Sequence, residues 1–488
     1  MYFIAFISDK EKMMVSPGIL LLCILTPLIG AFALPFLGKI SYGLRNIASL
    51  VFVLVSLISA AFMLPSALSG APLQLTVALP LGFSFGFYAD SLAVFMALTS
   101  SLVSTIVVFY SFGYIEEYPN QNEYYMMISL FIGSMMGLVF STNLIFIYCF
   151  WEISAVCCWR LIGFYRKNDD VIRADKAFLV TAGGALIMLI GFIAIYIQGG
   201  TFDLMELQGR GLANWVMILI LFGILSKSAT LPFHVWLPDA GVAPSPVTAL
   251  LHAAVLVKIG VYVYARLFLV NFYLDAVWSV IIPIIAAVSA IVSAGAAIRE
   301  NNIKRIIAYS TISQLGFIFL GLSCGNMIGA AGGLLYILMH SMAKGGLFLC
   351  AGIIEHNTKT KDIREMGGLA KKLPITCIAF IMCAFSVMGI PPFGGFFAKY
   401  MVINGAVQTG YPWIAGVFII GAVLTVIYLV RVFIKVFFGE LTHPDLKEGS
   451  WEMVVSVSLL ALLSLLAGIF INIPSQLTTI IVESLGRW

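Results

Sequence analysis

Apolar stretches long enough to cross a lipid bilayer follow one another along nearly the whole chain, and no other feature narrows its fold so far. Runs bounded by Gly, Pro, Asn or charge fall at about 17–37, 45–67, 88–111, 124–141, 143–164, 173–197, 212–230, 246–268, 271–297, 303–323, 327–354, 374–404, 412–438 and 451–475. A crossing takes about 20 such residues, so about fourteen helices are expected. Of the 488 residues 61% are hydrophobic and 10% are charged, against roughly 25% charged in a soluble domain. So little charge cannot coat a soluble globule, and an all-α integral membrane protein is expected. The first run has no small-residue cleavage site and reads as a permanent helix. The net charge of +4 is too small to suggest a nucleic-acid partner. The eight cysteines sit in apolar runs without any C-x-x-C, so they read as buried, inert thiols, with no disulfide framework, zinc site or iron–sulfur site.

Orientation follows from the Lys and Arg residues, which short cytoplasmic loops retain. With the N-terminus outside, the inner loops hold about sixteen of them, including Arg166, Lys167, Arg299, Lys304, Arg305, Lys359, Lys361, Lys371 and Lys372. The outer loops then hold about two, Arg210 and Arg266. Both termini are therefore expected on the outer face of a multi-pass protein.

An ionisable group at bilayer depth costs about 2.5–3.5 kcal/mol even on the lenient insertion scale, so each needs a partner, a wet cavity or a function. Glu152 in CFWEISAV, Lys227 in GILSKSATLPF, Lys258 in HAAVLVKIG, His340 and Lys344 in YILMHSMAKGG and Lys399 after GIPPFGGFFA all lie that deep, and His252 precedes Lys258 by six residues. Arg160, close to the inner end of its run, reads instead as an anchor whose long stem reaches the headgroups.

Pro232 lies five residues beyond Lys227, and Pro391 and Pro392, flanked by Gly389, Gly394 and Gly395, lead up to Lys399. Proline removes a backbone donor, so neither helix can be continuous. Freed backbone groups at membrane depth are tolerated beside water or buried in protein. Two interrupted helices about five spans apart suggest two repeats with one ion site each. Burial disfavours an ammonium and a carboxylate favours it, so Glu152 is the expected partner of Lys227, with His252, or a water chain through it, carrying the proton onward and His340 and Lys344 serving the second half likewise.

The stretch KSATLPFHVWLPDAGVAPSPVTALLHAAVLVKIGVYVYAR, Lys227 to Arg266, resembles the antiporter-like subunits shared by respiratory complex I, Mrp-type cation/proton antiporters and membrane-bound energy-converting hydrogenases. NLIFIYCFWE, IKRIIAYSTISQLGF, HSMAKGGLFLCAG, DIREMGGL and GIPPFGGFFAK agree in the same order, from about residue 85 to 440. The resemblance implies about fourteen helices, two inverted five-helix repeats with helices 7 and 12 broken, and a proton path along a hydrophilic axis. Its divisions here would be residues 1–115 for helices 1–3, 116–269 for the first repeat, 270–440 for the second and 441–488 for the last helix. The same resemblance gives Glu152, Lys227, His252, Lys258, His340, Lys344 and Lys399 their proton-transfer roles. Lys399 argues against the complex I branch that has Glu at this site. Cys158-Trp159-Arg160 departs from the usual pattern, and the chain ends too soon after its last span for the long lateral helix of the largest complex I homologue.

The leading expectation is a proton-translocating subunit of a multi-subunit redox complex in a prokaryotic cell membrane, closest to energy-converting hydrogenase or formate hydrogenlyase. The chain carries no nucleotide, metal or cluster motif, so iron–sulfur clusters and nickel–iron or flavin would sit in partner subunits of a peripheral arm. Other antiporter-like and small membrane subunits would be neighbours. The alternatives are a component of a multi-subunit Mrp Na+/H+ antiporter, with Na+ then among the ions moved, and a purely structural membrane subunit.

Overall fold

The computed structural model describes residues 16–78, 84–410 and 412–486. The extreme ends, on which the placement of the termini bears, lie outside the described residues. Twelve helices among the described residues are long and apolar enough to cross a membrane. In chain order they begin with α1 Gly18–Ile40, α2 Tyr42–Leu68, α3 Ser91–Tyr114, α4 Gln121–Phe140, α5 Leu144–Ile162 and α6 Asn168–Gly199. The shorter apolar α7, Asn214–Lys227, is followed by α8 Ser245–Asn271, α9 Trp278–Arg299, α10 Ile303–Ser323 and α11 Met327–Thr358. Then come the short α12 Pro374–Met388 and α13 Gly394–Gln408, and the long α14 Pro412–Phe437 and α15 Trp451–Ile469.

Local chemistry sets many of the boundaries. Asp90, Asn143, Asn302 and Asn326 each accept a hydrogen bond from a first-turn amide of the helix they precede. Gly200 and Gly389 end α6 and α12 in the left-handed conformation that a residue without Cβ adopts freely. α8, α10 and α11 are almost wholly enclosed. α1, α2 and α14 turn large apolar side chains outward, among them Ile29, Phe36, Ile58 and Ile420. Such a surface suits lipid and no aqueous environment.

Small residues let the central helices approach backbone to backbone. Gly321 of α10 lies against Gly333 and the Gly329 carbonyl of α11, while Gly405 of α13 lies against Gly329 from another side. A Cβ at Gly321 or Gly405 would collide with main chain, and one at Gly329 or Gly333 would be tightly crowded.

The interruptions fall where the prolines predict. After Lys227 the chain passes through a cis Leu231–Pro232 bond and the short turns Phe233–Val235, Trp236–Asp239 and Ala240–Val242 before α8. Released backbone groups find side-chain partners: the Trp236 indole donates to the Ser226 carbonyl at 3.0 Å, and the Leu231 amide donates to Ser289 Oγ at 3.2 Å. Likewise the run 374–404 is two helices, α12 and α13, parted by a cis Pro391–Pro392 bond. Gly468 of α15 fits against the Pro392 carbonyl, where no larger residue has room.

Three features correct the sequence reading. A hairpin, β1 Leu73–Ala78 and β2 Ser84–Ala89, stands between α2 and α3, so the third span starts at Ser91 and not at 88. Its alternating SFGFYA pattern is short enough to merge into the apolar run that follows. The last run also stops earlier: α15 ends at Ile469, and a separate amphipathic helix, α16 Asn472–Ser484, returns to pack on α11, with Ser484 Oγ 2.8 Å from Ser91 Oγ. Finally, α8 is not regular, because residues Leu250–Ala254 and Ala265–Asn271 widen into π turns.

Candidate functional site

A file of buried basic side chains runs through the enclosed helices. Lys227, Lys258, His252, Lys344, His340 and Lys399 are all buried, the first four completely. At α7, Lys227 Nζ donates to the Trp151 carbonyl at 3.1 Å and stands 5.2 Å above the Trp151 ring. Glu152 is the next residue along, yet it forms no ion pair with Lys227 among the described residues, and its buried Oε1 has no hydrogen-bond partner. The expected pair is thus poised one residue out of contact, with the indole face and a carbonyl in the place of the carboxylate.

At the centre, Lys258 Nζ of α8 lies 3.1 Å from His340 Nδ1 of α11. This contact joins groups that the sequence reading had placed in different halves. His252, on the first π turn of α8, rests its ring 4.3 Å from Phe348, and both its nitrogens are buried without hydrogen-bond partners among the described residues. One turn from His340, Lys344 Nζ donates to Ser310 Oγ at 2.5 Å and to the Ile307 carbonyl at 3.2 Å.

From Ser310 a polar chain continues that the sequence reading did not single out. Tyr428 Oη donates to Ser310 Oγ at 2.7 Å, Gln314 Nε2 approaches Tyr428 Oη at 3.4 Å, and Tyr336 Oη donates to Gln314 Oε1 at 2.7 Å. The Tyr336 ring is 5.7 Å from Lys399 Nζ, which donates to the Val387 carbonyl at 2.7 Å and lies 4.6 Å from the Phe317 ring. Val387 sits in the last turn of α12, so the break does supply a freed carbonyl to Lys399. In this chain the Lys344 and Lys399 side chains are met by hydroxyl and carbonyl oxygens and by rings.

Two cations differ from their sequence reading, and a third gains a partner. Lys304, counted as a loop charge, is completely buried; its Nζ is 2.8 Å from Glu355 Oε2 and donates to the Ala243 carbonyl at 2.8 Å. Glu355 also takes Lys361 at 3.1 Å and is the one acid of α11 inside the domain. Arg266, counted as an outer-loop charge, is buried in a two-pronged pair with Asp90. Arg160, part-exposed at the inner end of α5, pairs with Glu123, which Arg166 also reaches at 2.7 Å. For Lys304 and Arg266 a partner from a distant segment decides burial, and no local pattern announces it. Among the cysteines Cys149 is exposed, while the other seven are buried.

The turns on the basic face are tied together. Asn302 bridges to Asp362 across the α9–α10 and α11–α12 connections, and hydrogen bonds from Arg364 hold the Asp362 carboxyl down at about 2. Arg305 joins Glu300 at 2.8 Å and Asp239 at 2.6 Å, and Lys176 reaches Asp239 at 2.7 Å.

The same arrangement of helices occurs in solved complexes. The chain superposes with a TM-score of 0.89 on a chain of the Mrp complex from Dietzia sp. DQ12-45-1b, at 23% identity over 96% of this chain and 97% of that one. It superposes at 0.88 on a chain of the membrane-bound sulfane sulfur reductase, an archaeal respiratory membrane complex, at 25% identity over 96% and 98%. A chain of respiratory complex I from Thermus thermophilus gives 0.83 at 23% identity over 96% and 98%. In sequence, the chain is 33% identical over 474 residues to the A-type Na(+)/H(+) antiporter subunit of Bacillus subtilis (strain 168), covering 89% of this chain and 58% of that protein. It is 32% identical over 441 residues to the A1-type Na(+)/H(+) antiporter subunit of Staphylococcus haemolyticus (strain JCSC1435), covering 83% and 54%. The chain thus spans a little over half the length of these curated relatives. Residues 76–125 match the N-terminal family of complex I chain 5. Residues 141–425, which hold every member of the buried basic file, match the transmembrane family of NADH:quinone oxidoreductases and Mrp antiporters, and the chain belongs to that family of antiporter-like membrane subunits.

Proposed function

We propose that this chain moves protons across a prokaryotic cytoplasmic membrane as one subunit of a multi-subunit complex, using Glu152, Lys227, His252, Lys258, His340, Lys344 and Lys399 as its relay. The observation that carries the reading is the direct contact of Lys258 with His340, which turns two groups of buried cations into one file. A structural subunit would have no use for buried lysines whose ammonium groups are met by carbonyls, hydroxyls and rings.

For the driving force, the relatives named as Na(+)/H(+) antiporter subunits favour exchange of Na+ for H+ within an Mrp-like assembly. A second reading, redox-driven pumping in a hydrogenase-like or complex I-like assembly, is favoured by the likeness to the sulfane sulfur reductase. In that case the iron–sulfur, nickel–iron or flavin groups belong to partner subunits. The test is purification of the chain with its accompanying polypeptides, reconstitution in sealed vesicles and measurement of internal pH with a dye. Proton movement on imposing a Na+ gradient supports exchange, movement only on adding a reduced donor supports the second reading, and none under either drive refutes translocation.

A further inference from the structure

On the face opposite the basic loops the bundle opens into a cavity of about 260 Å³. Four helices end there, each by its C-terminus: α2 at Leu68, α4 at Phe140, α8 at Asn271 and α16 at Ser484. The C-terminal end of a helix carries roughly half a negative charge from its aligned peptide groups and favours cations. None of the four has a basic residue in its last turn to offset that pole. The helices that begin at the cavity, α3 and the one-turn segment Leu204–Leu207, have their positive poles met by the capping carboxylates of Asp90 and Asp203.

The wall also holds one charge pair, whose members cancel. Arg266 NH1 and NH2 donate to the two Asp90 oxygens at 2.5 and 2.7 Å, and Arg266 Nε donates to Tyr262 Oη at 2.9 Å. With the guanidinium matched by its carboxylate, the helix poles are what remains to attract an ion. Two oxygens are open to it. Asn271 lines the cavity and is buried; its Nδ2 donates to the Leu204 carbonyl at 2.7 Å, which fixes the amide, and its Oδ1 has no hydrogen-bond partner among the described residues. Ser484 Oγ donates to the Ile481 carbonyl at 2.7 Å, so in its 2.8 Å contact with Ser91 Oγ the Ser91 hydroxyl is the donor, and Ser91 Oγ keeps its lone pairs for a ligand.

We propose that this cavity is a Na+ site on the charge-poor face, with Asn271 Oδ1 as its buried ligand and Ser91 Oγ and water completing an oxygen shell. Amide, hydroxyl and water oxygens are the ligands a hard cation takes, and helix C-terminal ends hold Na+ in other membrane carriers. A water needs roughly 10–15 Å³ of free space, so the cavity has room for the ion and several waters. The inference rests on the exchange reading for the identity of the ion and adds where on this chain the ion is held.

The test uses the whole complex in vesicles, with Cys149→Ser and a reporter, Gln208→Cys, at an exposed lining residue. A membrane-impermeant thiosulfonate with a quaternary ammonium headgroup is added from the charge-poor side in choline, K+ or Na+ salt of equal ionic strength. Its rate of attachment to this chain is read by mass spectrometry. Na+ should slow the reaction where choline and K+ do not. Asn271→Leu should raise the Na+ concentration for half protection by about tenfold or more, the scale of one lost bond to a charged group. Ser91→Ala should raise it in the same direction and serves where Asn271→Leu fails to assemble. Equal rates in the three salts overturn the proposal, as does Na+ protection that neither substitution weakens. Protection by K+ equal to that by Na+ overturns the choice of ion. Protection by Na+ in a complex that exchanges no Na+ for H+ leaves the site standing, and it is the exchange reading that fails.

Discussion

Lys258 Nζ and His340 Nδ1, 3.1 Å apart, link α8 to α11 at the centre of the domain. When the lysine is an ammonium, Nδ1 must be the acceptor and the imidazole proton sits on Nε2, which has no partner among the described residues. In the proposed relay a proton passed from the ammonium to Nδ1 makes an imidazolium, which returns to a neutral tautomer when its Nε2 proton leaves to an acceptor. Replacing His340 by Leu removes the acceptor while filling the space. Proton flux should fall by about tenfold or more, on the scale of losing one positioned acid–base group, with the assembled complex still recovered by size exclusion.

Glu152→Gln keeps the side-chain shape and removes the one carboxylate near Lys227 in the first half. Lys227 rests on the Trp151 carbonyl, and in the proposed relay Glu152 draws the ammonium across. Flux should drop by about tenfold or more without loss of assembly. Vesicles of the variant that acidify at the native rate would remove Glu152 from the relay.

Arginine separates a titrating lysine from a fixed cation, because its guanidinium stays protonated at any working pH. Lys227→Arg and Lys399→Arg should each assemble and yet fail to translocate between about pH 6 and 9. Wild-type rates in both would make the lysines structural cations.

Lys304 and Glu355 form a pair whose basic member is completely buried. Removing one partner of such a pair destabilises by about 3–5 kcal/mol, whereas replacing both with apolar residues is often neutral. Lys304→Met should lower the melting temperature of the detergent-solubilised complex sharply, and Lys304→Met with Glu355→Leu should recover most of it. Equal melting of the single and double variants would show that the pair does not act as a unit.

The excess of Lys and Arg on one face sets the expected orientation. A cysteine at the exposed Lys371 should react with impermeant thiol reagents from the cytoplasmic side alone. Labelling in intact cells would reverse the topology and, with it, the side on which Arg266 and Asp90 meet water.

The lysines of the file are legible in the sequence because a charge inside an apolar run is improbable on its own terms, and the broken helices because proline acts locally. Lys304 and Arg266 are not legible. Each looks like a loop charge within its own neighbourhood, IRENNIKR or VYARLF, and becomes buried through a carboxylate 51 residues onward in one case and 176 residues back in the other. The Ser310–Tyr428–Gln314–Tyr336 chain is hidden for the same reason, since serine, tyrosine and glutamine are ordinary residues in a span until another helix aligns them.

The glycine contacts of α11 bear on how mechanical work enters the domain. With Gly333 locked against Gly321, and Gly329 held between α10 and Gly405, α11 has no side-chain cushion along which to slide, so a shift by one turn would drive main chain into main chain. The helix that carries His340 and Lys344 is a fixed spine. In the proposed assembly, force from a neighbouring subunit would be taken up where prolines leave the ladder of backbone hydrogen bonds, at residues 231–232 and 391–392, so displacement would be confined to two short joints beyond Lys227 and before Lys399 while the spine holds its register.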